Sequence, residues 1–135
     1  MIHYLTVDDI LGIRDHLAAA RVAAGDADRY AVRSFPGLLS AVAAPERSAF
    51  GAVFYPTLEE KAAALVYALV QHHPFWDGNK RIASAALRLF AQRNGVQLTI
   101  GDGELKAFTT EIARGALRDG AVATWVAAHI REVRT

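Results

Sequence analysis

Apolar residues recur at helical spacing along most of this chain, and nearly every run carries its own start or stop signal. Thr57-Leu58-Glu59-Glu60 is the clearest start. Thr57 can cap, Glu60 can reach back, and the acids lie near the positive end of the helix dipole. The run continues through Leu65, Val66, Leu69 and Val70 to about His72. A second run begins near Asn79, passes through Ile82, Ala86, Leu87, Leu89 and Phe90, and stops at Asn94-Gly95. Thr6 with Asp9 marks an earlier start, followed by Ile10, Leu11, Ile13, Leu17 and Ala18, with Gly25 as the stop. Arg33-Ser34-Phe35-Pro36-Gly37 holds a turn signal, and a short helix is expected over Leu38 to Ala44, ended before Pro45. Further helices are expected over Glu104–Leu117 and Ala121–Arg134, separated by Asp119-Gly120. Trp125, Val126 and Ile130 then form the core stripe of the last helix.

Two segments break the period. Phe50 to Pro56 has the β-branched and aromatic content of an extended segment, expected as a strand-like flap or a loop packed on the core. Val96 to Ile100 reads equally as a short strand or a connection. The resulting expectation is an all-α fold with a short β-like flap.

At 135 residues the chain is expected to form one domain, residues 1–135. The hydrophobic fraction is 53%, much of it alanine, which favours helix and close helix packing. A formal net charge of +1 is a poor match to a protein held on nucleic acid by phosphate neutralisation, so any phosphate site should be local. There are no cysteines, which excludes disulfides, thiolate metal sites and cysteine catalysis. His3, His16 and His129 lack metal-ligand spacing. No apolar run reaches membrane-span length, and the N-terminus lacks a signal-peptide pattern. A soluble, cytoplasmic protein without a membrane partner is expected.

The chemistry concentrates in His73-Pro74-Phe75-Trp76-Asp77-Gly78-Asn79-Lys80-Arg81, the loop between the two strongest helices. A helix start offers free N–H groups and partial positive charge, a ready site for an anion. Gly78 lets the backbone turn sharply and approach a ligand. Asn79 can donate from its amide, and Lys80 and Arg81 add cationic donors. Asp77 would repel a polyphosphate unless a cation lay between them, and Mg²⁺ suits one carboxylate plus phosphate oxygens. His73 is the nearby group that can take a proton near neutral pH. Base, metal ligand and phosphate cradle together describe transfer from a nucleotide to a hydroxyl. Phe75 is expected to anchor the loop in the core, Pro74 to help stop the preceding helix, and Trp76 to be buried. Each residue alone has a blander reading: His72 as a surface or capping group, Asp77-Gly78 as a turn, Lys80 and Arg81 as solvated charges.

The loop resembles the signature of the Fic/Doc (Fido) family, His-x-Phe-x-acid-Gly/Ala-Asn-Gly/Lys-Arg, complete here through Arg81. The resemblance extends from Gly37-Leu38-Leu39 through Tyr55-Pro56-Thr57-Leu58-Glu59-Glu60-Lys61 to Arg93-Asn94-Gly95. The opening Tyr4-Leu5-Thr6 is similar to that of Doc-type "death on curing" toxins. It implies a compact helical domain with the motif loop between two central helices. By this resemblance His73 deprotonates the target hydroxyl, Asp77 holds Mg²⁺, Gly78, Asn79, Lys80 and Arg81 bind phosphates, and ATP is the donor. Residues 50–55 would be the flap that aligns the target chain.

Relative to AMP-transferring Fic enzymes, Lys80 replaces a glycine and Ser84 an arginine, and both changes resemble Doc. Gly78 is Fic-like, because Doc has alanine there. The resemblance implies a toxin that phosphorylates a protein hydroxyl, such as a threonine of elongation factor Tu, and inhibits translation. AMP transfer is the alternative, and a catalytically silent regulatory module is an alternative of another class. No match to the family's inhibitory helix motif is present, so an antitoxin acting in trans is the implied partner, binding as a peptide that folds into a groove beside the active site.

Overall fold

A computed structural model describes residues 1–20, 27–118 and 120–133. The helices are α1 (Val7–Ala19), α2 (Phe35–Ala43), α3 (Leu58–His72), α4 (Asn79–Arg93), α5 (Asp102–Ala113) and α6 (Gly120–Ala128). Two antiparallel strand pairs accompany them: β1 (Ser48–Ala49) with β2 (Ala52–Val53), and β3 (Val96–Leu98) with β4 (Ile130–Glu132). The chain is thus mostly helical with small strands. The stop expected at Gly25, the turn residue Asp119 and the helix end at Arg134 lie outside the described residues.

α3 is the central element. It is buried on every side, through Ala62, Leu65, Val66, Leu69 and Val70 among others. A helix apolar all round belongs inside a core. It packs against α4, α6, α2 and α5, and its alanines let those neighbours come close. From α4, Ile82, Leu87 and Phe90 fill the space between, each essentially inaccessible. The helix starts behave as their chemistry dictates. Thr6 and Asp9 form a reciprocal capping box on α1. Thr57 accepts from the Glu60 N–H at the start of α3, and its hydroxyl donates to the Glu60 carboxylate. Among the described residues no helix is long and apolar enough to cross a membrane.

Two expectations are corrected, and one choice left open is narrowed. α2 starts at Phe35, capped by Ser34, with Pro36 inside its first turn rather than in a separate turn. Proline is tolerated there because first-turn N–H groups have no partner within the helix. The chain then passes through Pro45 in a 3₁₀ turn, Ala44–Glu46. Of the two readings left open for residues 50–56 the extended one holds: these residues run from the hairpin tip through β2 and are exposed, apart from Tyr55, which packs partly buried on the core. Phe50 and Gly51 form the tip of the β1–β2 hairpin, both with positive φ (53° and 79°), and Phe50 is fully exposed. Positive φ at both central positions is the two-residue turn that matches strand twist. The last helix ends at Ala128 and not near residue 134. Ile130 is buried from strand β4, which pairs with β3, while Trp125 stacks on Phe108 with ring centroids 3.6 Å apart.

Candidate active site

The loop between α3 and α4 is fixed from both sides. α3 ends at His72, and His73 turns the chain in the left-handed conformation (φ 50°, ψ 55°). Histidine enters that region more readily than most residues, yet at a cost in backbone energy. Phe75 is fully buried, as expected, and forms a β-bridge with Val32. The Pro74 carbonyl accepts from the Arg33 and Ser34 N–H groups at 2.7 and 3.0 Å, and the Trp76 N–H donates to the Ala31 carbonyl at 3.0 Å. The Arg33 guanidinium donates to the carbonyls of His73 (2.7 Å) and His72 (3.0 Å), satisfying two acceptors at the end of α3.

Asn79 closes the loop from within. Its side chain is 5% exposed, accepts from the Phe75 N–H at 3.0 Å and donates to the Phe75 carbonyl at 2.8 Å. The amide that the sequence offers to a phosphate is thus engaged with backbone. Trp76 is a correction: it is 64% exposed. Phe75 points inward from its β-bridge, and the chain bends at Trp76, which faces outward.

Gly78 precedes α4 with φ 79°, and no side chain caps the helix. The first intrahelical bond is the Ile82 N–H to the Gly78 carbonyl at 2.8 Å. The N–H groups of Asn79, Lys80 and Arg81 therefore have no acceptor within the helix. The side chains of Lys80 and Arg81 are exposed beside them. Asp77 is exposed too, and its Oδ1 accepts the Gly78 N–H at 2.7 Å.

These residues share one cavity of about 330 Å³, lined by His73, Asp77, Gly78, Asn79, Lys80 and Arg81, with Tyr30, Val70 and Ala113 completing the wall. A larger cavity of about 610 Å³ continues past Lys80 and Arg81 along Ser84, Arg88, Leu105 and Lys106. It contains neither His73 nor Asp77, so the smaller cavity holds the concentration of reactive groups. Ser84 donates its hydroxyl to the Lys80 carbonyl at 2.8 Å. Chemically, the smaller cavity combines an imidazole, an accessible carboxylate and an uncapped helix start with two cations. That set can bind a polyanion and take a proton beside it.

No group of three or more His, Cys, Asp or Glu side chains suited to a metal occurs among the described residues. Asp77 presents an exposed carboxylate to the cavity, the chemistry of a ligand for a hard cation. Two residues at the site had no sequence signal. Tyr30 and Arg33 lie some forty positions upstream of the loop, Tyr30 outside every run read from the sequence and Arg33 at the head of a turn signal that says nothing of a site. Only the fold brings them to His73 and Gly78.

Comparison with known proteins shows the family. A family model described as the Fic/DOC family matches residues 4–91, which include the loop and everything that clamps it. The chain is also 41% identical over 98 residues to Toxin Doc of Mycolicibacterium smegmatis (strain ATCC 700084 / mc(2)155), covering 73% of this chain and 69% of that protein. With the motif intact between the two central helices and the match spanning most of its length, the chain belongs to the Fic/DOC family.

Proposed function

We propose that this protein is a Doc-like toxin that transfers the γ-phosphate of ATP to a hydroxyl of a protein, with a threonine of elongation factor Tu as the expected target and arrested translation as the result. The observation that carries the reading is the convergence of His73, Asp77 and the uncapped start of α4 on one cavity. In this mechanism His73 removes the proton of the target hydroxyl. The freed oxygen bonds to the transferred phosphorus as the bond to the bridging oxygen breaks, and ADP departs. Lys80, Arg81 and the N–H groups of the first turn hold the phosphate oxygens, so catalysis is mostly positioning and charge stabilisation. Asp77 would hold Mg²⁺, which neutralises charge on the donor phosphates. The exposed β1–β2 hairpin is assigned the role of aligning the target chain.

AMP transfer is the second reading, and Gly78 is the residue that favours it. That glycine has a local explanation, however. A Cβ at position 78 would lie 2.1 Å from Cε1 of Tyr30. Its identity therefore says little about the donor group, and Lys80 and Ser84 favour phosphate. The relative's name, Toxin Doc, supports an antitoxin as partner in trans. The cavity along Ser84, Arg88 and Leu105 is the groove we assign to its peptide. Incubating the protein with translation factors, Mg²⁺ and ATP labelled on the α- or the γ-phosphate tests the reading. Label from the γ position and an added phosphate by intact mass are expected. Retention of only the α label would sink the kinase assignment. If His73→Ala arrested growth as the parent does, the silent-module reading would replace both.

A further inference from the structure

We infer that Tyr30 is a ligand-binding residue of this site: its hydroxyl donates to an oxyanion held at the start of α4, and its ring adds to the positive φ at position 78 in requiring glycine there. The inference rests on the proposed phosphate cradle and adds a donor that no motif residue supplies. Tyr30 is 3% exposed and closes a 3₁₀ turn, Ala27–Tyr30, whose last carbonyl accepts from Arg14 at 3.4 Å. Its ring lies against Gly78, where an added Cβ would fall 2.1 Å from Cε1 and 2.5 Å from Cδ1. Neither ring atom can yield, because the ring is enclosed by core. The hydroxyl has no hydrogen-bond partner among the described residues. Yet no side-chain oxygen or nitrogen shut away from solvent is left unsatisfied among them. The hydroxyl therefore retains access to solvent, and the cavity that Tyr30 lines is the one shared with His73, Lys80 and Arg81.

A buried phenol with an open hydroxyl, next to a helix start that no side chain caps, is a neutral donor added to a cationic site. A phosphate oxygen is the acceptor that fits it, since the phenol has a proton to give and the free N–H groups of α4, Lys80 and Arg81 beside it are donors to the same anion. The ring has a second consequence. It fills the space of a side chain at position 78, so the two residues can change only together.

Binding of inorganic pyrophosphate to the full chain, followed by calorimetry, tests both parts. Tyr30→Phe keeps the ring and removes the donor. It should weaken binding by about tenfold, the size of one hydrogen bond to a charged group, and leave the thermal midpoint within a degree or two. Gly78→Ala should lose binding and lower the midpoint, and Tyr30→Ala added to Gly78→Ala should recover part of that loss of midpoint. Unchanged pyrophosphate binding in Tyr30→Phe overturns the hydroxyl's role. Parent-like stability of Gly78→Ala alone overturns the pairing. A parent that binds no pyrophosphate defeats both this inference and the cradle. A parent that binds but transfers nothing from ATP leaves the Tyr30 comparison intact and defeats only the assigned reaction.

Discussion

His73 is asked to do two things that conflict. It is the base of the proposed reaction, and it is also the residue that turns the chain out of α3 with φ 50°. A left-handed backbone costs a residue with a Cβ roughly 1–2 kcal/mol, and Arg33 holds the turn by donating to the carbonyls of His72 and His73. The two roles can be separated. His73→Gly should abolish transfer while leaving the thermal midpoint unchanged or slightly higher, whereas His73→Ala should abolish transfer and gain nothing in stability. Intact-mass assays paired with thermal unfolding of both variants distinguish base from turn. Asn79 gives the opposite pattern. Asn79→Ala leaves the Phe75 N–H and carbonyl without partners in a buried place, at ~2–4 kcal/mol for the two groups, so stability and transfer should fall together. That His73 and Asp77 share one site was legible in the sequence because both sit within nine contiguous residues. The clamping role of Asn79 was not, because an amide that can serve a ligand serves backbone equally well, and only the path of the loop decides. Tyr30 was illegible for a simpler reason: an isolated tyrosine carries no spacing to be read.

Between elements, the contact that responds most to pH joins α1 to α4. Asp9 accepts from the Arg93 guanidinium at 2.7 and 2.8 Å while it also closes the capping box with Thr6. The hydrogen bond from Arg93 is the main reason that its carboxyl falls from the ordinary 3.8 to about 2. A carboxyl lowered on folding stabilises the fold above its unfolded pKa and loses that contribution as pH falls through the folded one. The contribution should therefore be complete above about pH 4 and fade toward pH 2. Because Arg93 is 40% exposed, solvent screening reduces it to about 1 kcal/mol. Asp9→Asn should flatten the loss of unfolding free energy between pH 4 and pH 2 in urea titrations, and an unaltered slope would remove the pair from the account. The β1–β2 hairpin makes a different prediction. Phe50→Asn suits a turn with two positive φ angles, so the midpoint should hold or rise, while the KM for the protein target should increase several-fold if the tip meets that target. Helix starts at Thr6 and Thr57 were legible because caps are local. The strand at Ile130–Glu132 was not: Val122, Val126 and Ile130 keep the four-residue spacing of a helix, and nothing nearby shows that β3 waits as a partner.

At the scale of the molecule, α4 works as a strut with chemistry at one end and chain closure at the other. A helix of 15 residues spans ~22 Å. Its start forms the cradle. At its end the Asn94 side chain accepts from the His3 N–H at 2.8 Å and donates to the His3 carbonyl, and the Gly95 carbonyl accepts from the Val133 N–H at 3.0 Å. The first and last described segments of the chain are thus tied near the same turn. No residue of β3 or β4 lines either of the two cavities at the start of α4. A mutation in that sheet should therefore lower stability and spare the chemistry. Ile130 is the side chain to cut, since it brings β4 into the core and pairs with Leu98 of β3. Ile130→Ala should cost ~2–3 kcal/mol through lost burial and the cavity left behind, lowering the thermal midpoint by on the order of 10 °C. At 25 °C the folded variant should transfer label from ATP with the parent's kcat and KM. The temperature at which transfer collapses should drop in step with the midpoint. A reduced kcat at 25 °C, with the variant still fully folded by circular dichroism, would mean that the far end of α4 sets the geometry of its start.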